Sequence, residues 1–330
     1  MIGKNAARDW KKEVAPYERP RVGRSAWQLV NTIAPFLALW CLAYFSLSIS
    51  YWLTVVFVML AAGFLIRTFI LFHDCCHYAF FPNKLANEIT GVITGLFAAF
   101  PYYRWKNEHA IHHAGSGNLD RRGVGDIWIM TVDEYLAASK WRKIAYHIYR
   151  NPFFMFGVGP VYMILVAYRY NTRRAGRTER RNTRATNMGL ALAIALACWL
   201  LGWKSFLLVE GPILYLASMA GIWLFYVQHH FDGAYFEPAK DWDYVSAALR
   251  GSSFYKLPGV LQWMVGNIGY HHIHHLSSRV PNYNLKGFHE QKLALCGVPS
   301  VGLLASLRAL GYRLWDEQAK KFVAFPSLGR

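Results

Sequence analysis

Between Arg24 and Arg67 the chain carries no charged residue. That stretch is long enough for two membrane crossings of about 20 residues each. A second such region runs from Ala185 to Val227, interrupted only by Lys204 and Glu210, close to Gly202 and Pro212 where a hairpin needs its turn. The pattern predicts four spans, at about 27–48, 52–71, 186–203 and 206–228. Two further apolar stretches are short for a crossing: 85–103, with Glu88, Gly91, Gly95 and Pro101, and 152–169, with Gly157, Gly159 and Pro160. These are expected to lie on the membrane or dip into it. The expected fold is an all-α integral membrane protein, four transmembrane helices with a cytoplasmic helical cap.

Charge orients the spans. The loop from Asn171 to Arg184 holds Arg173, Arg174, Arg177, Arg180, Arg181 and Arg184, and the positive-inside rule puts it in the cytoplasm. The amino terminus, with Lys4, Arg8, Lys11, Lys12, Arg19, Arg21 and Arg24, belongs on the same side and does not read as a removable signal peptide. The domain reading is then a basic cytoplasmic terminus at 1–26, a membrane domain at 27–300 and a cytoplasmic tail at 301–330. A net charge of +17 in 330 residues invites a nucleic-acid partner. The cations flank apolar segments instead, where they favour anionic lipid, so no nucleic acid is expected. Cys41, Cys75, Cys76, Cys198 and Cys296 show no pairing logic, two of them falling in spans, and a disulfide framework is not expected.

The candidate chemistry lies where these spans return to the cap. Histidines cluster as His73-Asp74-Cys75-Cys76-His77, His109-Ala110-Ile111-His112-His113, Gln228-His229-His230 and His271-His272-Ile273-His274-His275. On a helix, positions i, i+3 and i+4 share a face, so each cluster aims two or three imidazoles at one point. Imidazole suits transition metals, and eight or nine donors exceed one ion, so the pattern calls for a dinuclear centre. No Glu has a His three residues later, which excludes the soluble carboxylate-bridged pattern, and His289-Glu290 does not continue into a zinc-protease motif. Asp74 is placed to orient a ligand imidazole. His272 falls off the i, i+3, i+4 face, His147 and His289 stand alone, and His229 is favoured over His230.

These residues resemble the membrane fatty acid desaturase family, whose boxes are His-x(3–4)-His, His-x-x-His-His and a second His-x-x-His-His. Phe225-Tyr226-Val227-Gln228-His229, Ala248-Leu249-Arg250-Gly251-Ser252-Ser253, Gly266 to Ser277 and Arg279-Val280-Pro281-Asn282-Tyr283 look like bacterial members of its acyl-lipid, Δ12-like branch. The resemblance implies two non-haem irons held by His73, His77, His109, His112, His113, His229, His271, His274 and His275. It implies O2 as co-substrate and the acyl chain of a membrane lipid or fatty acyl thioester as substrate. Some members place an asparagine four residues before the isolated histidine; here that position is Phe225. No His-Pro-Gly-Gly segment is present, so electrons are expected from a separate ferredoxin-, rubredoxin- or cytochrome b5-type protein. The expected location is the bacterial inner membrane, with the boxes and both termini in the cytoplasm.

The implied reaction inserts a cis double bond. An apolar tunnel must then fix which methylene reacts, and Phe97, Phe100, Tyr102, Trp105, Phe225 and Trp263 are candidates for lining it. A lipid or carotenoid hydroxylase or ketolase shares the same boxes and is the alternative. A histidine-rich metal transporter would need polar residues deep in the spans, and these hold almost none.

Overall fold

The protein is described here by a computed structural model, in residues 6–291 and 297–326. A short helix α1 (Ala6–Val14) precedes α2 (Val22–Ser46) and α3 (Tyr51–Cys76), which form the first hairpin. The cap begins with α4 (Lys84–Phe97), α5 (Tyr102–Gly115), α6 (Val132–Ala137), α7 (Lys140–Arg150) and α8 (Gly159–Leu165). The second hairpin is α9 (Arg177–Leu201) and α10 (Trp203–His229), turning at Gly202, whose φ of 81° favours glycine. The cap resumes with α11 (Tyr244–Arg250), β1 (Phe254–Lys256), α12 (Gly259–Met264), α13 (His271–Leu276) and α14 (Asn282–Gln291). It closes with β2 (Ser300–Gly302), a 3₁₀ turn at Ala305–Gly311, β3 (Leu314–Asp316) and β4 (Lys321–Val323).

The four long helices are apolar enough to cross a membrane. They outlast the apolar runs on the cap side. Helix α3 continues past Phe72 to carry His73, and α9 begins nine residues early, at Arg177, within the arginine loop. Half of the apolar window of α3 is buried against only 6% of that of α9, so α3 is the core of the bundle and α9 faces lipid almost all round.

Two backbone reversals place the first boxes. Helix α3 ends in a Schellman motif: Tyr78 takes φ 55°, its N–H bonds the Cys75 carbonyl, and the Ala79 N–H bonds the Asp74 carbonyl. His77 is therefore the capping residue. The same motif breaks the 85–103 stretch at Ala99 (φ 61°), after which Pro101 starts α5. Helices α4 and α5 can pack there because Gly91 lacks a Cβ where the Tyr102 ring lies. The 152–169 stretch is also irregular: a π-helical turn at Phe154–Val158, then α8, then a 3₁₀ turn at Ala167–Arg169, bent by 65° from α7.

The stretch 301–330, expected as a tail, is packed structure through Pro326. β2 pairs in parallel with β1, and β3 pairs antiparallel with β4. Leu314 and Trp315 are fully buried: Leu314 clusters with Met130, Tyr135 and Tyr146, and Trp315 with Phe231 and Phe236, which follow α10, and with Phe322 of β4. Long-range apolar contacts hold this segment, and they leave no local period to read in the sequence.

Candidate metal centre

The two hairpins deliver α3 and α10 to the same level, and α5 and α13 lie across their ends. The nine box histidines converge there in two groups. His73, His77, His109, His113 and His274 form one; His112, His229, His271 and His275 form the other. Within each group the donor nitrogens lie within 4.8 Å of one another. The second group is wholly buried, whereas His77 and His113 of the first are partly exposed. The expectation that each cluster aims at one point fails for both His-x-x-His-His boxes. Helix α5 sends His109 and His113, four residues apart, to the first group and His112 to the second. Helix α13 sends His274 to the first and His271 and His275, four apart, to the second.

The contacts run from Nε2 to Nε2. His73 and His109 are 2.9 Å apart, His109 and His113 3.0 Å, and His113 and His274 2.9 Å. In the other group His112 and His275 are 3.3 Å apart, His275 and His271 3.1 Å, and His271 and His229 3.1 Å. Two metal–imidazole bonds of about 2.1 Å at right angles place their nitrogens about 3.0 Å apart. Burial holds His77, His109, His113, His271, His274 and His275 well below the ordinary imidazole pKa, so they are neutral.

Tautomers sharpen the fit. His112 donates from Nδ1 to Asp126 Oδ1 at 2.5 Å, and His229 donates from Nδ1 to the Gly251 carbonyl at 3.1 Å. In the neutral ring that tautomer makes Nε2 the lone-pair atom, and both Nε2 atoms face other imidazoles. The buried His77 Nε2 has no hydrogen-bond partner. Converging lone pairs repel one another unless a cation sits among them, and an all-imidazole set suits a transition metal. Residues and group fit.

The remaining candidates lie elsewhere. His230 accepts from Arg150 at Nε2 (3.3 Å) and donates from Nδ1 to the Tyr226 carbonyl (3.0 Å), which leaves it no free donor. His272 pairs with His289 at 3.2 Å, and His147 takes the Tyr135 hydroxyl at 2.7 Å. Cys75 and Cys76 are buried in the apolar core around α3. Asp74 Oδ1 is 3.6 Å from His73 Nδ1, beyond hydrogen-bond reach, while Oδ2 accepts from the Asn282 backbone and side chain at 2.7 and 2.8 Å. Its stronger task is to tie the segment after α13 to α3. The carboxylate that does orient a ring is Asp126, which sequence reasoning missed. It lies on an irregular loop with no spacing relation to His112.

A cavity of about 760 Å³ opens beside the groups, touching His73, His109 and His271. Its walls come from α3, α8, α10 and the π-helical turn, and they are mostly apolar. Its size lies within the range of about 300–1,000 Å³ usual for ligand sites. Of the expected lining residues, Phe100, Trp105 and Phe225 face it. The other three do not. Phe97 packs on Phe36, Tyr102 donates to the Cys75 carbonyl at 2.8 Å, and Trp263 lies under the Arg67 guanidinium.

Four spans and a cap that gathers nine imidazoles beside an apolar cavity define a class: integral membrane proteins with a histidine-built site that meets a greasy ligand. The sequence profile of the fatty acid desaturase family matches residues 48–298. The chain is 53% identical to a fatty acid desaturase of Bacillus subtilis (strain 168) over 317 residues, which are 96% of this chain and 90% of that protein. It is 27% identical to the chloroplastic omega-6 fatty acid desaturase of Arabidopsis thaliana over 67% of this chain and 49% of that one. It is 23% identical to the sn-1 oleoyl-lipid 12-desaturase of a Synechocystis strain over 67% of this chain and 63% of that one. The chain belongs to the fatty acid desaturase family, and it is an oxidoreductase of that kind.

Proposed function

We propose that this protein introduces a cis double bond into the acyl chain of a membrane lipid or fatty acyl thioester, using O2. The observation that carries the reading is the opening of the apolar cavity onto His73, His109 and His271. Two non-haem irons would be held, one by His73, His77, His109, His113 and His274, the other by His112, His229, His271 and His275. When bound they supply the oxygen activation that an unactivated methylene requires. In the overall balance two neighbouring carbons each lose a hydrogen, and O2, with two electrons and two protons, leaves as two waters.

The chain's own residues do the rest. The walls from α3, α8 and α10 align the acyl chain and exclude water, so that position alone selects a methylene. Asp126 and the Gly251 carbonyl hold the Nδ1 protons of His112 and His229 and keep their Nε2 atoms free as donors. Electrons come from a separate ferredoxin-, rubredoxin- or cytochrome b5-type protein. The arginine loop supports a bacterial inner-membrane location with the cap and both termini cytoplasmic.

The test is the lipid profile of a bacterial host that expresses the chain with a reductant, beside His112→Ala produced at equal level. A new unsaturated species that disappears in the variant is the expected result. An oxygenated product would replace desaturation with hydroxylation.

A further inference from the structure

Helix α12 has no counterpart among the expected membrane segments, and its partners lie well below the histidines. Met264 Sδ lies against Gly63 of α3, 3.2 Å from where a Cβ would stand, and the Trp263 ring meets Phe64 edge-on, centroids 5.9 Å apart. Arg67, buried within α3, stacks over Trp263 at 3.9 Å, donates to the Trp263 carbonyl, and bonds Thr32 Oγ1 of α2 at 3.0 Å. Its charge is thus met by a ring face, a carbonyl and a hydroxyl.

Depth follows from the helix rise. Exposed Tyr51 and Trp52 mark the far boundary of α3, where aromatic residues belong. A hydrocarbon core of about 30 Å is crossed in about 20 residues at 1.5 Å each, so the cap-side boundary falls near Leu71. Gly63 then lies roughly 12 Å inside it, and α12 is packed at that depth. Its outward positions agree: Val260 is 74% exposed, with Leu261 and Trp263 beside it on the open face.

The 3₁₀ turn at Ala305–Gly311 reaches down on α10 in the same way. Ser306 Oγ is 3.1 Å from the Tyr255 hydroxyl, which accepts from Trp223 Nε1 at 3.3 Å, and the Ala309 carbonyl accepts from the Tyr226 hydroxyl at 2.7 Å. Trp223 is six residues before His229, about 9 Å down the helix. Here the outward side chains are Leu303, Leu307 and Leu304 at 82% exposure, beside the exposed Arg308, whose long side chain can carry its guanidinium up to the headgroups.

We infer that α12 and the segment 303–311 are sunk into the cap-side leaflet, and that lipid acyl chains cover their apolar faces. Continuity argues for lipid over a second copy of the chain, since both patches extend the lipid-facing surfaces of α3 and α10. An exposed apolar patch of this kind signals a binding surface. The consequence reaches the metal centre. Only residues 265–270 join α12 to α13, with left-handed Gly266 and Asn267 among them, so lipid beneath α12 supports the element that carries His271, His274 and His275.

The experiment places single spin labels at Val260→Cys and Leu304→Cys in full-length protein in proteoliposomes, with Cys41, Cys198 and Cys296 changed to Ser. Leu192→Cys on α9 serves as the lipid reference and Asp241→Cys on the cap as the water reference. Both labels are expected to collide with dissolved oxygen at the rate of the Leu192→Cys label, and with an aqueous nickel chelate at less than about a tenth of the rate at Asp241→Cys. Nickel collisions equal to the water reference would overturn the inference, as would shielding from both reagents, which would mean that another protein surface covers the patch. Both substitutions are on exposed positions, and a monodisperse elution profile checks that each variant is folded.

Discussion

The two histidine groups differ in what holds them. In the first, His73 and His77 straddle the end of a span and His109 and His113 share one face of α5, so helix geometry sets the ring positions. In the second, every donor is buried, and His112 and His229 are steadied by a loop carboxylate and a turn carbonyl. Two of its four rings come from the six-residue α13, which supplies only His274 to the first. It also has four histidines where the first has five, which leaves more of a bound metal's coordination open. The difference teaches that the more secluded site is the one assembled from the less regular parts. Its integrity depends on side-chain hydrogen bonds that the first group does without.

Removing a donor should break the comparison outright. His109→Ala and His112→Ala are each expected to lower product formation by at least about a hundredfold and to leave about one metal per chain, as metal analysis of purified protein would read. Equal metal content in wild type and variants would show that the two groups do not bind separately. Asp126→Asn tests the support alone. Its expected cost is about 10–100-fold in metal affinity, confined to the second group. Chelator removal should run in two phases, fast from the first group, where His77 and His113 are partly exposed, and slow from the buried second, and only the slow phase should quicken in Asp126→Asn. A single unchanged phase would count against this assignment.

Smaller effects probe the surroundings. Arg150 is fully buried and bonds His230, Tyr226 and the Tyr312 carbonyl. Arg150→Met should cost about 2–3 kcal/mol by stranding those partners, seen as a lower Tm with metal content retained. Gly221 lines the cavity with nothing within 4 Å of where a Cβ would stand. Gly221→Leu should fill part of the cavity and change the ratio of rates on long and short acyl chains by roughly tenfold; an unchanged ratio would remove α10 from the substrate wall.

What the sequence disclosed and what it hid follow from range. The spans were legible because lipid demands long uninterrupted apolar runs, and the boxes because i, i+3, i+4 spacing is a property of a single helix. Asp126, Asn282 and Arg150 were not, since each acts across a fold that brings distant segments together: Asp74 meets Asn282 across 208 positions. Half of the expected tunnel residues were misplaced for a related reason. Aromatic character marks burial, but whether a ring faces a void or a neighbour depends on packing that no local pattern encodes. The carboxyl-terminal segment went unread because its strands are three residues long and take their stability from Phe231 and Phe236.

The run of α3 from the far boundary to His73 without a break has a consequence for how such a site could change its reach. Adding one residue to that helix lifts the end by about 1.5 Å and turns it by about 100°, swinging His73 off its group. Only whole turns, three or four residues and about 5.4 Å, keep the imidazole on its face. The height of the centre above the bilayer midplane is therefore quantised, and a shift in the reacting carbon smaller than one helical turn has to come from the cavity walls.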